Sequence, residues 1–235
     1  MSAGKLAGRV AVVTGVSRGI GRAIAALLAS EGAAVAGCAR QVSGETFLDE
    51  LDRAERARHL VAACDVRRRE DVIRFRDFVL ARLGAPDILV NNAGSVARAS
   101  IETLPEETWD DVLAANLKSV FLVTQAFLPS LRGRGRGRII NLASIAGRRG
   151  TPLLGAYCAA KHGVVGLTRA LAEELRSDGI AVNAICPGSV DTAMLAVGRP
   201  GAKPEMTPAE VAQAALFLAA DAPTAMTGQC LDIFG

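Results

Sequence analysis

Tyr157 and Lys161 stand four residues apart at the start of an alanine- and leucine-rich helical run, and Tyr157 is the only tyrosine in the chain. Residues at i and i+4 share one helix face. An ammonium held beside a phenol favours the phenolate and lowers a pKa that is otherwise about 10. Such a pair can give or take a proton near neutrality. Alone, the spacing is common, and a packing tyrosine beside a surface lysine is the simpler account of it. Ser144 shifts the balance. It follows the apolar run Arg138–Leu142, at the carboxyl edge where α/β sheets bind ligands. A hydroxyl there can hydrogen-bond a carbonyl oxygen while the tyrosine supplies a proton. Asn116 is a polar residue inside an apolar helical pattern, Leu113-Ala114-Ala115-Asn116-Leu117. Two readings of it stand: a helix irregularity with a backbone-satisfied amide, or an anchor for a water.

A second constellation lies near the start of the chain. The apolar run Val10-Ala11-Val12-Val13 leads into Thr14-Gly15-Val16-Ser17-Arg18-Gly19-Ile20-Gly21 and then a helical pattern. Strand, glycine turn and helix start is the geometry in which backbone N–H groups and a helix N-terminus receive a pyrophosphate. Gly15 suits the turn, Gly19 lets a ligand approach the backbone, and Gly21 lets the helix pack close to the strand. The spacing is Gly-x3-Gly-x-Gly rather than the more familiar Gly-x-Gly-x2-Gly.

Short apolar runs alternate with longer amphipathic stretches, which predicts an α/β chain. Strands are expected at Val10–Thr14, Ala34–Cys38, Leu60–Ala63, Ile88–Asn91, Arg138–Leu142, Ile180–Ile185 and Cys230–Phe234. Helices are expected near Gly19–Ser30, Gly44–Arg56, Arg69–Leu83, Pro105–Leu131, Leu154–Ser177 and Pro208–Ala220. Several strands are apolar throughout, as parallel strands covered on both faces are. The expected fold is a doubly wound, Rossmann-like parallel sheet of about seven strands. Residues 1–235 read as a single domain, without internal repeats. Thr192–Thr207, with two prolines and two glycines, reads as a mobile surface lid.

Composition excludes other classes. Half of the residues are apolar and mean hydropathy is +0.28, against extended disorder. No uninterrupted apolar run approaches the ~18 residues of a membrane span. Met1–Leu6 lacks a signal-peptide stretch, and a cytoplasmic protein is expected. The 27 basic and 24 acidic residues leave +3, without a nucleic-acid binder's excess. Cys38, Cys64, Cys158, Cys186 and Cys230 are scattered and read as small buried hydrophobes. His59 and His162 have no ligand partner nearby in sequence, so no metal site is expected. Arg132, Arg134, Arg136 and Arg138 alternate with glycines. They read as a solvated basic loop, or else as a docking patch for an acidic partner.

The ordered set Thr14-Gly15-x3-Gly19-x-Gly21, Asn91-Asn92-Ala93-Gly94, Asn116, Ser144, Tyr157-x3-Lys161 and Pro187-Gly188-Ser189-Val190-Asp191-Thr192 resembles a short-chain dehydrogenase/reductase of the Tyr-x-x-x-Lys type. The match covers nearly the whole chain. The resemblance implies a catalytic set of Asn116, Ser144, Tyr157 and Lys161. Tyr157 would be the general acid in carbonyl reduction and Ser144 would orient the carbonyl. Lys161 would hold the nicotinamide ribose and depress the tyrosine pKa, and Asn116 would fix a water in a proton relay. Gly15, Ser17, Arg18, Gly19, Ile20 and Gly21 would bind the dinucleotide phosphates. Asp65 and Val66 would meet the adenine, with Asn91, Ala93 and Gly94 along the adenosine half. Ile185, Pro187, Gly188, Val190 and Thr192 would cradle the nicotinamide and its phosphate.

Cofactor choice follows from charge. A free ribose calls for a carboxylate at the end of the second strand, and a 2′-phosphate calls for a cation. Ala39 stands where NAD-preferring members carry Asp, Arg40 follows it, and Arg18 lies in the glycine loop. Two guanidinium groups on one phosphate select NADP(H).

The expected substrate is a small-molecule carbonyl compound, a hydrophobic ketone or β-ketoacyl compound, with Leu153 and Leu154 at the mouth. The resemblance extends to carrier-protein β-ketoacyl reductases and to carbonyl reductases. Arg134 and Arg136 could meet an acyl carrier protein, whereas Asp178 would repel it. Arg148 and Arg149 could select an anionic substrate or face water. A non-catalytic dinucleotide-binding regulator is the reading from another class, and the presence of both Tyr157 and Lys161 counts against it. The resemblance implies a homo-oligomer, dimer or tetramer, through the helices Pro105–Leu131 and Leu154–Ser177, whose surplus apolar positions include Phe121, Val164, Val165 and Leu167. The ending Asp232-Ile233-Phe234-Gly235 departs from the family's usual Asp-Gly-Gly.

Overall fold

The computed structural model describes residues 4–42, 46–50 and 53–234. Among these, strands β1 (Val10–Thr14), β2 (Ala34–Ala39), β3 (Leu60–Ala63), β4 (Ile88–Asn91), β5 (Gly137–Leu142), β6 (Ile180–Pro187) and β7 (Cys230–Ile233) form one sheet. All pairings are parallel, in the order β3-β2-β1-β4-β5-β6-β7. The order reverses between β1 and β4. A doubly wound sheet opens a crevice beyond the carboxyl ends of its strands at that switch.

Side chains alternate across each strand, and the two faces bury different helices. Val13, Val90 and Ile140 pack with α1 (Gly19–Ser30) and α8 (Pro208–Leu216) through Ile24, Leu28, Val211 and Leu216. Val12, Leu89 and Ile139 pack with α3 (Arg69–Arg82) and α5 (Ser119–Arg132) through Phe75, Val79, Leu122 and Phe127. Each such side chain, fully buried, contributes about 1.5–3 kcal/mol.

Four expected elements differ, among them the helix over Pro208–Ala220, which is α8 followed by a π-helical turn at Phe217–Asp221. The helix expected over Pro105–Leu131 is α4 (Glu106–Leu113), a π-helical turn at Ala114–Lys118, and α5. This stretch is long and apolar enough to cross a membrane, but Val120, Leu122, Val123, Phe127 and Leu131 are buried within the chain. The expected loop Thr192–Thr207 contains a short helix, α7 (Ala193–Gly198), whose Leu195 N–H is capped by Thr192 Oγ1 at 3.3 Å. The prolines and glycines that suggested a loop lie at and beyond its end. A bridge between Val190 and Met206 ties the far side of this segment to the end of β6. Of the helix expected over Gly44–Arg56, Gly44, Glu45, Leu51 and Asp52 lie outside the described residues. The rest is a 3-10 turn, Phe47–Glu50, and α2 (Arg53–Arg56).

The arginine–glycine run is no free basic loop. Asp87, with no exposed surface, precedes β4. It accepts from Arg134 Nη2 at 2.7 Å and from the Val10 N–H at 3.0 Å, with Arg136 at 3.5 Å. Arg132 pairs with Asp178 at 2.7 Å. These groups sit where β4, β5 and β6 begin, the edge opposite Ser144. Within one chain, neither Arg134 and Arg136 nor Asp178 faces the active-site mouth.

Candidate active site

The glycine turn joins β1 to α1 as the spacing predicted. Gly15 and Gly19 have φ of 76° and 59°, conformations that favour glycine. A Cβ on Gly21 would stand 2.2 Å from both the Gly15 carbonyl oxygen and Asn92 Nδ2, so only hydrogen fits. Asn92 Nδ2 donates to the Thr14 carbonyl at 2.8 Å, and Thr14 Oγ1 accepts the Asn92 and Ala93 N–H groups at 3.0 Å each. The end of β4 thereby fixes the glycine loop.

Beyond this loop lies a cleft of about 850 Å³. It is lined by Gly15, Ser17, Arg18, Gly19, Ile20, Gly21, Arg40, Asp65, Val66, Ala93, Gly94, Tyr157, Lys161, Pro187 and Thr192, all anticipated from sequence. A contiguous cavity of about 500 Å³ is lined by Ser144, Leu154, Tyr157, Gly188 and Val190. Ile20, Tyr157, Pro187, Thr192 and Met194 border both. Two expected residues lie elsewhere. Ile185 is in the sheet core. Asn91 is buried and turned from the cleft, its Nδ2 donating to Asn141 Oδ1 at 2.9 Å and Thr124 Oγ1 at 3.1 Å. Successive strand residues face opposite sides, so of two adjacent asparagines Asn92 reaches the loop and Asn91 the core.

Sequence reading also missed Arg67. It lines the cleft and clamps Asp65, with Nη2 at 2.7 Å, while its Nη1 reaches Asp111 at 3.0 Å. The Arg67 guanidinium holds the Asp65 carboxyl below its usual range. Its only sequence signal was a run of three arginines, which reads as a helix start. Arg18 and Arg40 line the same cleft, and their side chains make no hydrogen bond or ion pair with the described residues. Both guanidinium groups are available to a phosphate.

The four residues expected to be catalytic come from β5's end, the π-helical turn at Ala114–Lys118 and α6 (Gly155–Glu174). Ser144 caps a 3-10 turn, Ile145–Gly147, accepting the Ala146 N–H at 3.1 Å. Lys161 is buried and its Nζ donates to the Leu142 carbonyl at 2.7 Å. Asn116 sits in the π-helical turn, a distortion that recurs at functional sites. Its Nδ2 donates to the carbonyls of Ser95 and Val112 at 2.7 and 2.8 Å. Its buried Oδ1 has no partner among the described residues. The helix is irregular there and the amide nitrogen is satisfied by backbone, with a buried acceptor left over.

Burial pushes the Tyr157 phenol up to about 12, against a smaller downward pull from Ser144. Burial brings Lys161 down to about 8. Lys161 Nζ lies 5.6 Å from the Tyr157 ring centroid, with one of its three donors on the Leu142 carbonyl, and does not offset the burial of the phenol. At neutral pH the phenol keeps its proton and can act as an acid. Met194 Sδ, on α7, lies 4.0 Å from the Tyr157 hydroxyl, so the lid reaches the reacting group.

Residues 9–202 match the short chain dehydrogenase family. A Streptomyces virginiae protein named as the ketoacyl reductase of the monensin polyketide synthase is 41% identical, covering 97% of this chain and 96% of that protein. The 3-oxoacyl-acyl-carrier-protein reductase FabG of Vibrio cholerae is 36% identical, with 98% and 97% covered. A crystal structure of a point variant of actinorhodin polyketide ketoreductase with NADPH superposes with a TM-score of 0.90 and 38% identity, over 100% of this chain and 98% of that one. With the glycine turn, Ser144, Tyr157 and Lys161 assembled on a doubly wound sheet, the chain belongs to the short-chain dehydrogenase family.

Proposed function

We propose that this protein reduces the keto group of a β-ketoacyl thioester, with NADPH as its cofactor. The observation that carries the reading is the pair Ser144 and Tyr157 on the wall where the glycine-floored cleft opens into the smaller cavity. The cleft fits a dinucleotide: its floor excludes Cβ atoms at Gly21, and Arg18 and Arg40 offer free guanidinium groups to a ribose phosphate. Gly15 and Gly19 shape the turn, and the start of α1 presents N–H groups to phosphate. Bound there, NADPH supplies the hydride.

The remaining work falls to the chain's own groups. Ser144 Oγ hydrogen-bonds the substrate carbonyl oxygen and holds it toward Tyr157. Tyr157 gives its proton to that oxygen as negative charge develops. Lys161, a cation below about pH 8, stabilises the phenolate left behind. Asn116 Oδ1, next to Lys161 at Gly94, holds the water through which the proton is replaced. Val96, Leu154, Met194 and Leu195 give the cavity apolar walls for the acyl chain. Those walls also suit hydrophobic ketones, the second reading.

The relatives' names support the thioester reading. An acyl carrier protein is a compatible partner, because Asp178 is paired with Arg132 and does not confront the mouth. All five cysteines are free, in accord with a reducing compartment. A homo-oligomer is supported by Phe121, 43% exposed on α5. Val164 and Val165, expected to share that role, are buried within the chain. Light scattering should return a multiple of the 24.4 kDa chain mass.

The test is NADPH oxidation with β-ketoacyl thioesters, β-ketoesters and simple ketones, using the native protein and Tyr157→Phe. The thioesters should be the best substrates. Tyr157→Phe should lose at least about a hundredfold in kcat while NADPH affinity stays within about threefold. No oxidation with any thioester, or a variant that keeps more than a tenth of the rate, would sink the reading.

A further inference from the structure

Two cationic side chains, Arg149 and Arg199, line the cavity that holds Ser144 and Tyr157, and among the described residues no carboxylate lines it. Glu205 Oε2 lies 3.3 Å from where a Cβ on Gly188 would stand, but Glu205 does not line the cavity. Arg149 differs from its neighbour. Arg148 is paired with Asp232 at 3.0 Å, whereas the Arg149 side chain is exposed and makes no hydrogen bond or ion pair with the described residues. Arg18 and Arg40, which line the dinucleotide cleft, are unmatched in the same way, whereas Arg82 sits over the Phe78 ring and Arg98 donates to the Gly198 carbonyl.

The backbone makes Arg149 a fixed point relative to the reacting groups. Its N–H donates to the Ile145 carbonyl at 3.0 Å, in the turn that Ser144 caps. Arg199, at the end of α7, donates from Nη1 to Ser189 Oγ at 3.0 Å, which leaves its other donors free. A guanidinium presents a planar fork that matches a carboxylate or phosphate.

We propose that Arg149, backed by Arg199, anchors an anionic group of the carbonyl substrate at the outer end of this cavity, while Ser144 and Tyr157 hold the carbonyl at its inner end. The anion is a carboxylate on the substrate itself or the phosphate of a phosphopantetheine arm. This rests on the reading of the cavity as the carbonyl site, and it adds a charge requirement that the apolar walls do not imply.

The experiment compares compounds that differ only in charge: levulinate with methyl levulinate, acetoacetate with methyl acetoacetate, and acetoacetyl-phosphopantetheine with acetoacetyl-pantetheine. The readout is the ratio of kcat/KM for the charged and the neutral partner, in the native protein, Arg149→Met and Arg149→Lys. The native ratio should reach tenfold or more in at least one pair, and which pair does so identifies carboxylate or phosphate as the anion. Arg149→Met should cut that ratio at least tenfold, Arg149→Lys should keep part of it, and added salt should erode it. A native ratio near one in every pair, or a ratio that Arg149→Met leaves intact, would overturn the anchor while leaving reduction of the neutral partners standing. Failure to reduce any of the six compounds would overturn the anchor and the reductase reading together.

Discussion

A Cβ built on Gly94 would stand 2.5 Å from Asn116 Oδ1, so the loop after β4 and the π-helical turn meet with room for hydrogen alone. The same Cβ would lie 3.8 Å from Lys161 Nζ. Gly94 is thus the spacer that lets an asparagine and a lysine from two helical elements share one polar corner. Asn116 cannot simply swing aside, because both Nδ2 hydrogens are committed to backbone carbonyls.

Gly94→Ala should therefore lower kcat by about ten- to a hundredfold, with a smaller effect on NADPH affinity. Asn116→Ala should act on stability as well, since it strips two carbonyls of their donor, a cost of about 1–3 kcal/mol. Denaturant melts and steady-state kinetics on the same preparations separate the two effects. A Gly94→Ala protein with native kcat would show that Asn116 Oδ1 has no part in the reaction.

The pH profile follows from Tyr157 and Lys161. Tyr157, pushed up to about 12, stays protonated over the working range and sets no limb for carbonyl reduction. Lys161, brought down to about 8, is charged below that value and neutral above it. Reductive kcat/KM should be level near neutrality and fall above about pH 8, approaching tenfold per pH unit. Alcohol oxidation, which needs the phenolate, should instead rise with pH. Lys161→Arg, charged throughout, should lose the alkaline limb whatever its absolute rate. A native reductive profile level to about pH 10 would remove Lys161 from this role.

Cofactor choice can be reversed at the end of β2. Ala39, Arg40 and Arg18 all line the cleft, and a ribose phosphate would gain from both cations. Ala39→Asp combined with Arg40→Ala should weaken NADPH and strengthen NADH, each by about tenfold or more (1.4 kcal/mol per decade). Fluorescence titration of both cofactors decides it. Equal affinity of the native protein for NADH and NADPH would show that Arg18 and Arg40 do not select.

Where chemistry is written in short contiguous motifs, the sequence was a good guide. The glycine turn, Ser144 and the Tyr157–Lys161 pair all sit where their spacing placed them, and the apolar runs became the seven strands in parallel register. The misses share a cause, which is that pattern does not state what a side chain meets across the fold. Adjacent Asn91 and Asn92 are indistinguishable until a strand points them to opposite faces. The π-helical turn leaves the apolar periodicity of its helix nearly unchanged, so Asn116 alone hinted at it. Arg134, Arg136 and Asp178 were read by charge as surface features, yet each has a partner brought from distant sequence. Tyr157 and Lys161 were paired by spacing, but burial is the largest influence on the acidity of each.

The Asp87 cluster gives a prediction that separates stability from catalysis. A carboxylate with no exposed surface is held by Arg134, Arg136 and the Val10 N–H at the edge of the sheet opposite Ser144. Removing one partner of a buried ion pair leaves the others uncompensated, which typically costs about 3–5 kcal/mol. Arg134 and Arg136 keep contact with water, so the lower part of that range applies to Asp87→Asn. Arg134→Met should cost less, because Arg136 remains to face the carboxylate. Neither change touches the cleft, so kcat per folded molecule should stay within about twofold of native at a temperature where the variants are fully folded. Urea melts give the stability difference and active-site titration with NADPH gives the folded fraction. A variant of native stability would show that the cluster is neutral to the fold. One that is stable yet catalytically impaired would mean that this edge communicates with Tyr157 along β5.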